Sequence, residues 1–267
     1  MWGIIMCFLR KVFQFVLFCV FLALSITAFA GPRTDRAQPE SGEKVIVAST
    51  SWVAAIAEAA GARNVRILAP VELKHPPEYE LRPSDLTLIS RADFVLYAGW
   101  ERFAQKLTET AGSGAAIVQV RAENDPNVLK EEAEKLAALF GTEESFRSWR
   151  SEFDRLTGDI QLKVQQAYPD RRAVVQRMQL PFVKWLGFDV IGEYGPAEPS
   201  PSLILDLARL RPVLVIDNYH GPSGIPVAEA SGVPYAELIN FPGKDGTKTL
   251  ADVFRYNMEV LVKASGR

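Results

Sequence analysis

The sequence predicts an α/β protein of two lobes, each a mainly parallel sheet flanked by helices. One long helix joins the lobes, with a ligand cleft between them. Three observations predict this. Eight short apolar runs alternate with helix-like stretches, which argues for parallel sheets. Four runs precede and four follow a single long amphipathic segment. Helix-start pairs such as Asp125-Pro126 and Ser200-Pro201 punctuate the rhythm.

The chain opens differently. Arg10 and Lys11 are the sole charges of residues 1–30 and precede an apolar run from Val12 to Ala30, densest at Phe15–Leu24. Ala28-Phe29-Ala30 and Gly31-Pro32 close it. A basic flank, a short apolar stretch and an A-x-A site predict a cleavable export signal over residues 1–30 and a mature protein that works outside the cytoplasm. The competing expectation is an uncleaved anchor, since spanning takes about 17–25 residues. Cys19 lies mid-run without small residues before it, a poor lipidation site. Both cysteines, Cys7 and Cys19, fall in this segment, so no disulfide is expected in the mature protein. A mature chain of roughly 235 residues is large enough for a core without staples. Losing Arg10 and Lys11 takes the formal charge from −2 to about −4. No basic stripe points to nucleic acid. Residues 31–43, polar and rich in Pro and Gly, read as a flexible leader.

The first lobe is expected over 44–144, with strands at 44–49, 65–69, 93–98 and 115–120. Helices are expected at 52–60, 84–91, 100–110 and 126–140, the last capped by Asp125 and stopped by Gly141. Phe146, Trp149, Phe153, Leu156, Ile160 and Val164 then form one apolar stripe, predicting a linking helix over 145–168 that Pro169 ends. The stripe is packing surface and carries no chemistry. The second lobe, 169–267, is expected to have strands at 172–176, 188–193, 212–217 and 235–240. Its helices are expected at 180–186, 200–210, 225–231 and 249–264. No close sequence repeat relates the halves.

Parallel α/β sheets hold ligands beyond the carboxyl ends of their strands, so two facing lobes make an interlobe site. Several segments carry a family resemblance. Pro77-Glu78-Tyr79-Glu80-Leu81-Arg82-Pro83-Ser84-Asp85-Leu86 resembles an "H-x-Y-E-P-x-P-S-D-L" stretch, and Ala92–Gly99 resembles an "A-D-L-hydrophobic-x-Y-x-G" strand. Glu198-Pro199-Ser200, Val213–Asp217 and Asn240-Phe241-Pro242 resemble the C-terminal half. The chain is thus similar to the zinc/manganese substrate-binding proteins of ABC importers, from about residue 44 to the end. The resemblance implies a periplasmic binding protein with a rigid linking helix. It would capture a divalent metal between lobes and pass it to a membrane permease, and it would not be an enzyme.

The departures from that family concern its metal ligands. The first His position is Pro77, with His75 two residues earlier. The second is Asn127, the third falls near Met178 or Gln176, and the Asp position is Asn240.

The two histidines, His75 and His220, each follow a strand and are expected at matching, cleft-facing ends. Each alone reads as a solvated loop side chain; their pairing makes them metal candidates. With Asp217 and Glu193, which end strands, they would suit zinc first, with manganese or copper as alternatives. Glu78, Glu80 and Met178 are further cleft candidates, and Met178 reads first as core packing. Tyr79, Trp100 and Tyr219 cluster near the expected mouth. They support an alternative ligand, a metal chelate or small organic molecule. A further alternative is a degenerate relative serving as an interaction protein. No G-x-S-x-G or H-E-x-x-H motif is present, and no mature Cys can act as nucleophile. A monomer that binds a metal ion and docks to an ABC-type permease is therefore the expected reading.

Overall fold

The computed structural model describes residues 44–266. Contacts divide the chain after Glu43, and Lys44–Arg267 form one compact unit. The expected export signal and leader lie outside the described residues.

Eight strands appear where the apolar runs stand: β1 Ile46–Ala48, β2 Arg66–Ile67, β3 Phe94–Tyr97, β4 Ala116–Gln119, β5 Arg172–Gln176, β6 Asp189–Tyr194, β7 Leu214–Asn218 and β8 Tyr235–Leu238. They form two sheets with strand orders β2-β1-β3-β4 and β6-β5-β7-β8. Every pairing is parallel. The two lobes therefore share one topology despite the lack of a visible sequence repeat. A backbone arrangement needs only the order of apolar runs, which many sequences satisfy.

Helices follow the strands: α1 Ser51–Ala59, α2 Pro83–Ile89, α3 Ala104–Thr110, α4 Pro126–Phe140, α5 Glu143–Ala167, α6 Leu180–Trp185, α7 Pro201–Arg209, α8 Ile225–Ser231 and α9 Leu250–Ala264. The start and stop signals act as read. The Asp125 carboxylate accepts from Asn127 N at 2.8 Å, and Gly141 ends α4 at φ 74°. Ser200 Oγ accepts from Leu203 N at 3.3 Å.

Strand parity sorts the core. Ile46, Ala48, Phe94 and Leu96 in the first sheet, and Ala173, Val175, Leu214 and Ile216 in the second, join one continuous buried cluster. Their neighbours face the other way. Val47 and Val95 meet Ile89, Phe103 and Leu107 under α2 and α3. Val174 and Val215 meet Tyr194, Leu207 and Val227 under α7 and α8. Each sheet is thus covered on both faces, as all-parallel sheets require.

The 25-residue helix α5 runs along the shared cluster and, at 1.5 Å per residue, is about 37 Å long. Phe146, Phe153, Ile160 and Val164 of its stripe are buried, while Trp149 and Leu156 are partly so. α9 returns across both lobes to pack on it. Phe254 of α9 meets Phe153 at 5.2 Å and Phe182 of α6 at 5.2 Å, both edge to face. Phe254 thereby ties the linking helix to the second lobe. Phe254→Ala is expected to cost about 3–5 kcal/mol, read as a lower urea midpoint with an unchanged slope.

Candidate functional site

All eight strands point their carboxyl ends at one cleft. Its cavity of about 650 Å³ takes a residue from the segment after each strand, helix α1 for Trp52 and a turn or loop for the others: Trp52, His75, Trp100, Asn124, Met178, Pro196, His220 and Asn240, in strand order. In both sheets the chain reverses direction across the order between the first and third strand. The crevice at such a reversal is where parallel sheets bind ligands. Trp52 and Trp100 mark it in one lobe, and Gln176 and Asn218 in the other.

The lobes meet around this cavity. Ser51 Oγ donates to Pro242 O at 2.8 Å, and Asn124 Nδ2 donates to Ile239 O at 3.4 Å. Gly243, at φ 140°, lies so close to Val71 O that a Cβ there would collide with it. His220 Nδ1 sits 3.3 Å from Lys74 O. A carbonyl can only accept, so Nδ1 carries the proton and Nε2 presents its lone pair. That Nε2 is buried without a partner. Phe241 stacks on the imidazole at 3.7 Å and 18° and fixes its plane. His75, next to Lys74, is exposed on the same rim.

No protein-family model matches the chain, and no curated protein matches it by sequence. Solved structures do match. A periplasmic metal-binding protein from Candidatus Liberibacter asiaticus superposes with a TM-score of 0.68 at 18% identity, over 83% of this chain and 99% of the other. The laminin-binding protein of Streptococcus agalactiae gives 0.65 at 18% identity, over 83% and 99%. The laminin-binding protein of Streptococcus pyogenes gives 0.63 at 16% identity, over 82% and 98%. The chain has their fold.

Within this fold, the expected ligands do not all converge. Among the described residues, no three His, Cys, Asp or Glu side chains lie close enough to hold one metal ion. His75 and His220 reach the cleft; Asp217 and Glu193 do not. Asp217 is fully buried and turned the other way, because it shares parity with Val215 and faces the α8 side. Its carboxylate accepts from Asn218 N at 2.8 Å, Ser223 N at 2.8 Å, Gly224 N at 2.6 Å and Tyr235 Oη at 2.8 Å. It is the anchor of the loop that carries His220. A Cβ at Gly224 would collide with Tyr194 Oη, so glycine is required for this wrap. Burial, then the Asp217 charge, pushes the Tyr194 and Tyr235 phenols up, keeping both protonated. Glu193 is exposed on the edge strand β6.

The remaining candidates divide the same way. Met178 is 49% exposed at the cleft rather than core packing. Asn240 lines the cleft, accepts from Gln179 Nε2 through Oδ1, and approaches Met178 O through Nδ2 at 3.5 Å. Glu78 and Glu80 are exposed outside it, with Glu78 3.8 Å from Arg102. Tyr79 turns into the first lobe, where its hydroxyl donates to Asp85 at 2.7 Å and its ring meets Phe103. Asn127 is exposed at the start of α4 and does not line the cavity. Tyr219 lies outside the cavity between Lys74 and Lys244, whose ammonium groups are 4.7 and 4.2 Å from its ring centroid.

Sequence reasoning missed Trp52, Asn124 and Phe241. Trp52 follows β1 and Asn124 follows β4, so the strand-end rule that singled out the histidines would have found both.

Burial pushes the His220 imidazole down from 6.5 to about 4. The folded state therefore refuses a proton that the unfolded chain accepts. The stability this gives is complete above pH 6.5 and is lost progressively as pH falls towards 4. Between those values the melting temperature of the wild type is expected to fall more steeply than that of His220→Gln. Asp217→Ala would strand several buried donors at about 1–3 kcal/mol each. It should lower the melting temperature and speed amide exchange at residues 218–224.

Proposed function

We propose that the chain is an extracytoplasmic solute-binding protein that carries a divalent transition metal to an ABC-type permease. In this reading residues 1–30 are its export signal and 31–43 a leader. Lobes 44–144 and 169–267, joined by the linking helix at 145–168, hold the cargo between them with only slight closure. It works by binding, not catalysis, in the periplasm and as a monomer.

The observation that carries the reading is the lone pair of His220 Nε2, buried, oriented and unpartnered, beside His75 at the interlobe cleft. A neutral imidazole with its other nitrogen bonded to a backbone carbonyl is the form that ligates metals. The fold supports it too, since its structural neighbours include manganese- and cadmium-bound forms of the Liberibacter protein. The Streptococcus agalactiae protein is described as having adhesin and metal-transporting activity. Two imidazoles favour zinc over manganese, because affinity at nitrogen sites rises towards the later metals.

The test is calorimetry on the metal-stripped mature chain with zinc and manganese. Zinc is expected to bind more tightly than manganese. His75→Ala and His220→Ala should each weaken zinc at least roughly a hundredfold. Absence of binding by either metal would refute the proposal.

A further inference from the structure

We infer that the metal arrives as a complex with a flat organic chelator, which occupies the aromatic part of the cleft and supplies the donors the protein lacks. This rests on the metal reading above and names the form of the cargo. Two observations require something besides an ion.

The first is the count of donors. Four-coordinate zinc needs four ligands. The cleft offers two imidazoles; Glu123 also lines it, but among the described residues no three His, Cys, Asp or Glu lie close enough to share one ion. A bidentate chelator on the metal leaves two positions, held by water in solution. Each imidazole lone pair replaces one water, and at His220 no proton has to leave, because its Nδ1 already carries the hydrogen.

The second is the rest of the lining. A cavity of about 650 Å³ lies in the range of organic-ligand sites and far exceeds one ion. Trp52, Trp100 and Phe241 line it as a continuous aromatic wall, with Trp52 at 6.4 Å from Trp100 and 5.8 Å from Phe241. Trp52 and Asn124 are only 7% and 2% exposed, yet Trp52 Nε1 and Asn124 Oδ1 have no partner. A cation can meet the lone pairs of Asn124 and His220, but it repels the Trp52 N–H. A heteroatom of a chelator can accept from it. The organic part thus satisfies a group that a bare ion leaves stranded.

The experiment titrates the metal-stripped mature chain with three probes: zinc alone, zinc premixed with one equivalent of 8-hydroxyquinoline, and 8-hydroxyquinoline alone. The premixed complex is expected to bind at least roughly tenfold more tightly than zinc alone, with tryptophan fluorescence quenched. Trp100→Ala, at a side chain 42% exposed, should remove that advantage, so that the complex binds no more tightly than zinc alone to the same variant. Trp52→Phe, which keeps a ring and loses the N–H, should reduce the advantage in part. Circular dichroism checks that both variants fold. If zinc binds and the complex gains nothing, or Trp100→Ala leaves the gain intact, the chelator inference is overturned and the metal reading stands. If 8-hydroxyquinoline alone binds as tightly as the complex, the metal has no part and the inference is overturned. Failure of zinc alone to bind overturns the metal reading, and the inference that rests on it.

Discussion

The packing of α5 and α9 against both sheets is the constraint from which the rest follows. Two separate sheets would otherwise be two domains on a tether. Here a single buried cluster runs from Ile46 through Phe153 and Phe254 to Leu214, so the two lobes share their main core. Interiors at crystal-like density resist shear. Large rotation of one lobe against the other would expose much of that cluster, whereas small movements of the cleft loops would not. Binding is therefore expected to move exposed cleft residues such as His75 more than whole lobes.

With the lobes held this way, the geometry of parallel strands produces the site. Eight strands that run in parallel within each sheet bring eight loops to one crevice. The second lobe adds a device of its own. Asp217 gathers four hydrogen bonds from its own loop and from β8, and these hold the turn bearing His220. Lys74 from the opposite lobe then sets the imidazole tautomer. A charge buried with well-aligned partners orders a loop more rigidly than exposed pairs do. A lone pair held in this manner is prepared for its ligand before the ligand arrives.

Much of the fold was legible in the sequence because its signals are redundant. Strand positions rest on runs of several apolar residues, and α5 rests on six stripe positions. A single exception such as Gly158 does not erase them. The site was legible only in part, because it turns on single residues and on parity. Asp217 and Asn218 are neighbours at the end of β7, yet one enters the core and the other lines the cleft. Successive strand side chains point to opposite faces, and a shift of one residue exchanges them. A strand-end rule locates the loop and leaves the face undecided. The same rule led to His75 and His220, which line the cavity, since loop residues beyond the strand escape the alternation. Met178 was read as core because the turn after β5 gives no periodic signal. The orphaned atoms of Trp52 and Asn124 appear only once neighbours are known, for no local pattern marks a polar atom that lacks a partner.

In the proposed function, His220 Nε2 is a cargo-facing lone pair that shares its ligand with His75 at the interlobe cleft. Crystals of the mature chain soaked with zinc, measured for anomalous scattering at the zinc edge, test it most directly. The expected result is one strong peak about 2.0–2.1 Å from His220 Nε2 with His75 moved to meet it. No peak in the cleft, or a peak elsewhere with both imidazoles unmoved, would contradict it.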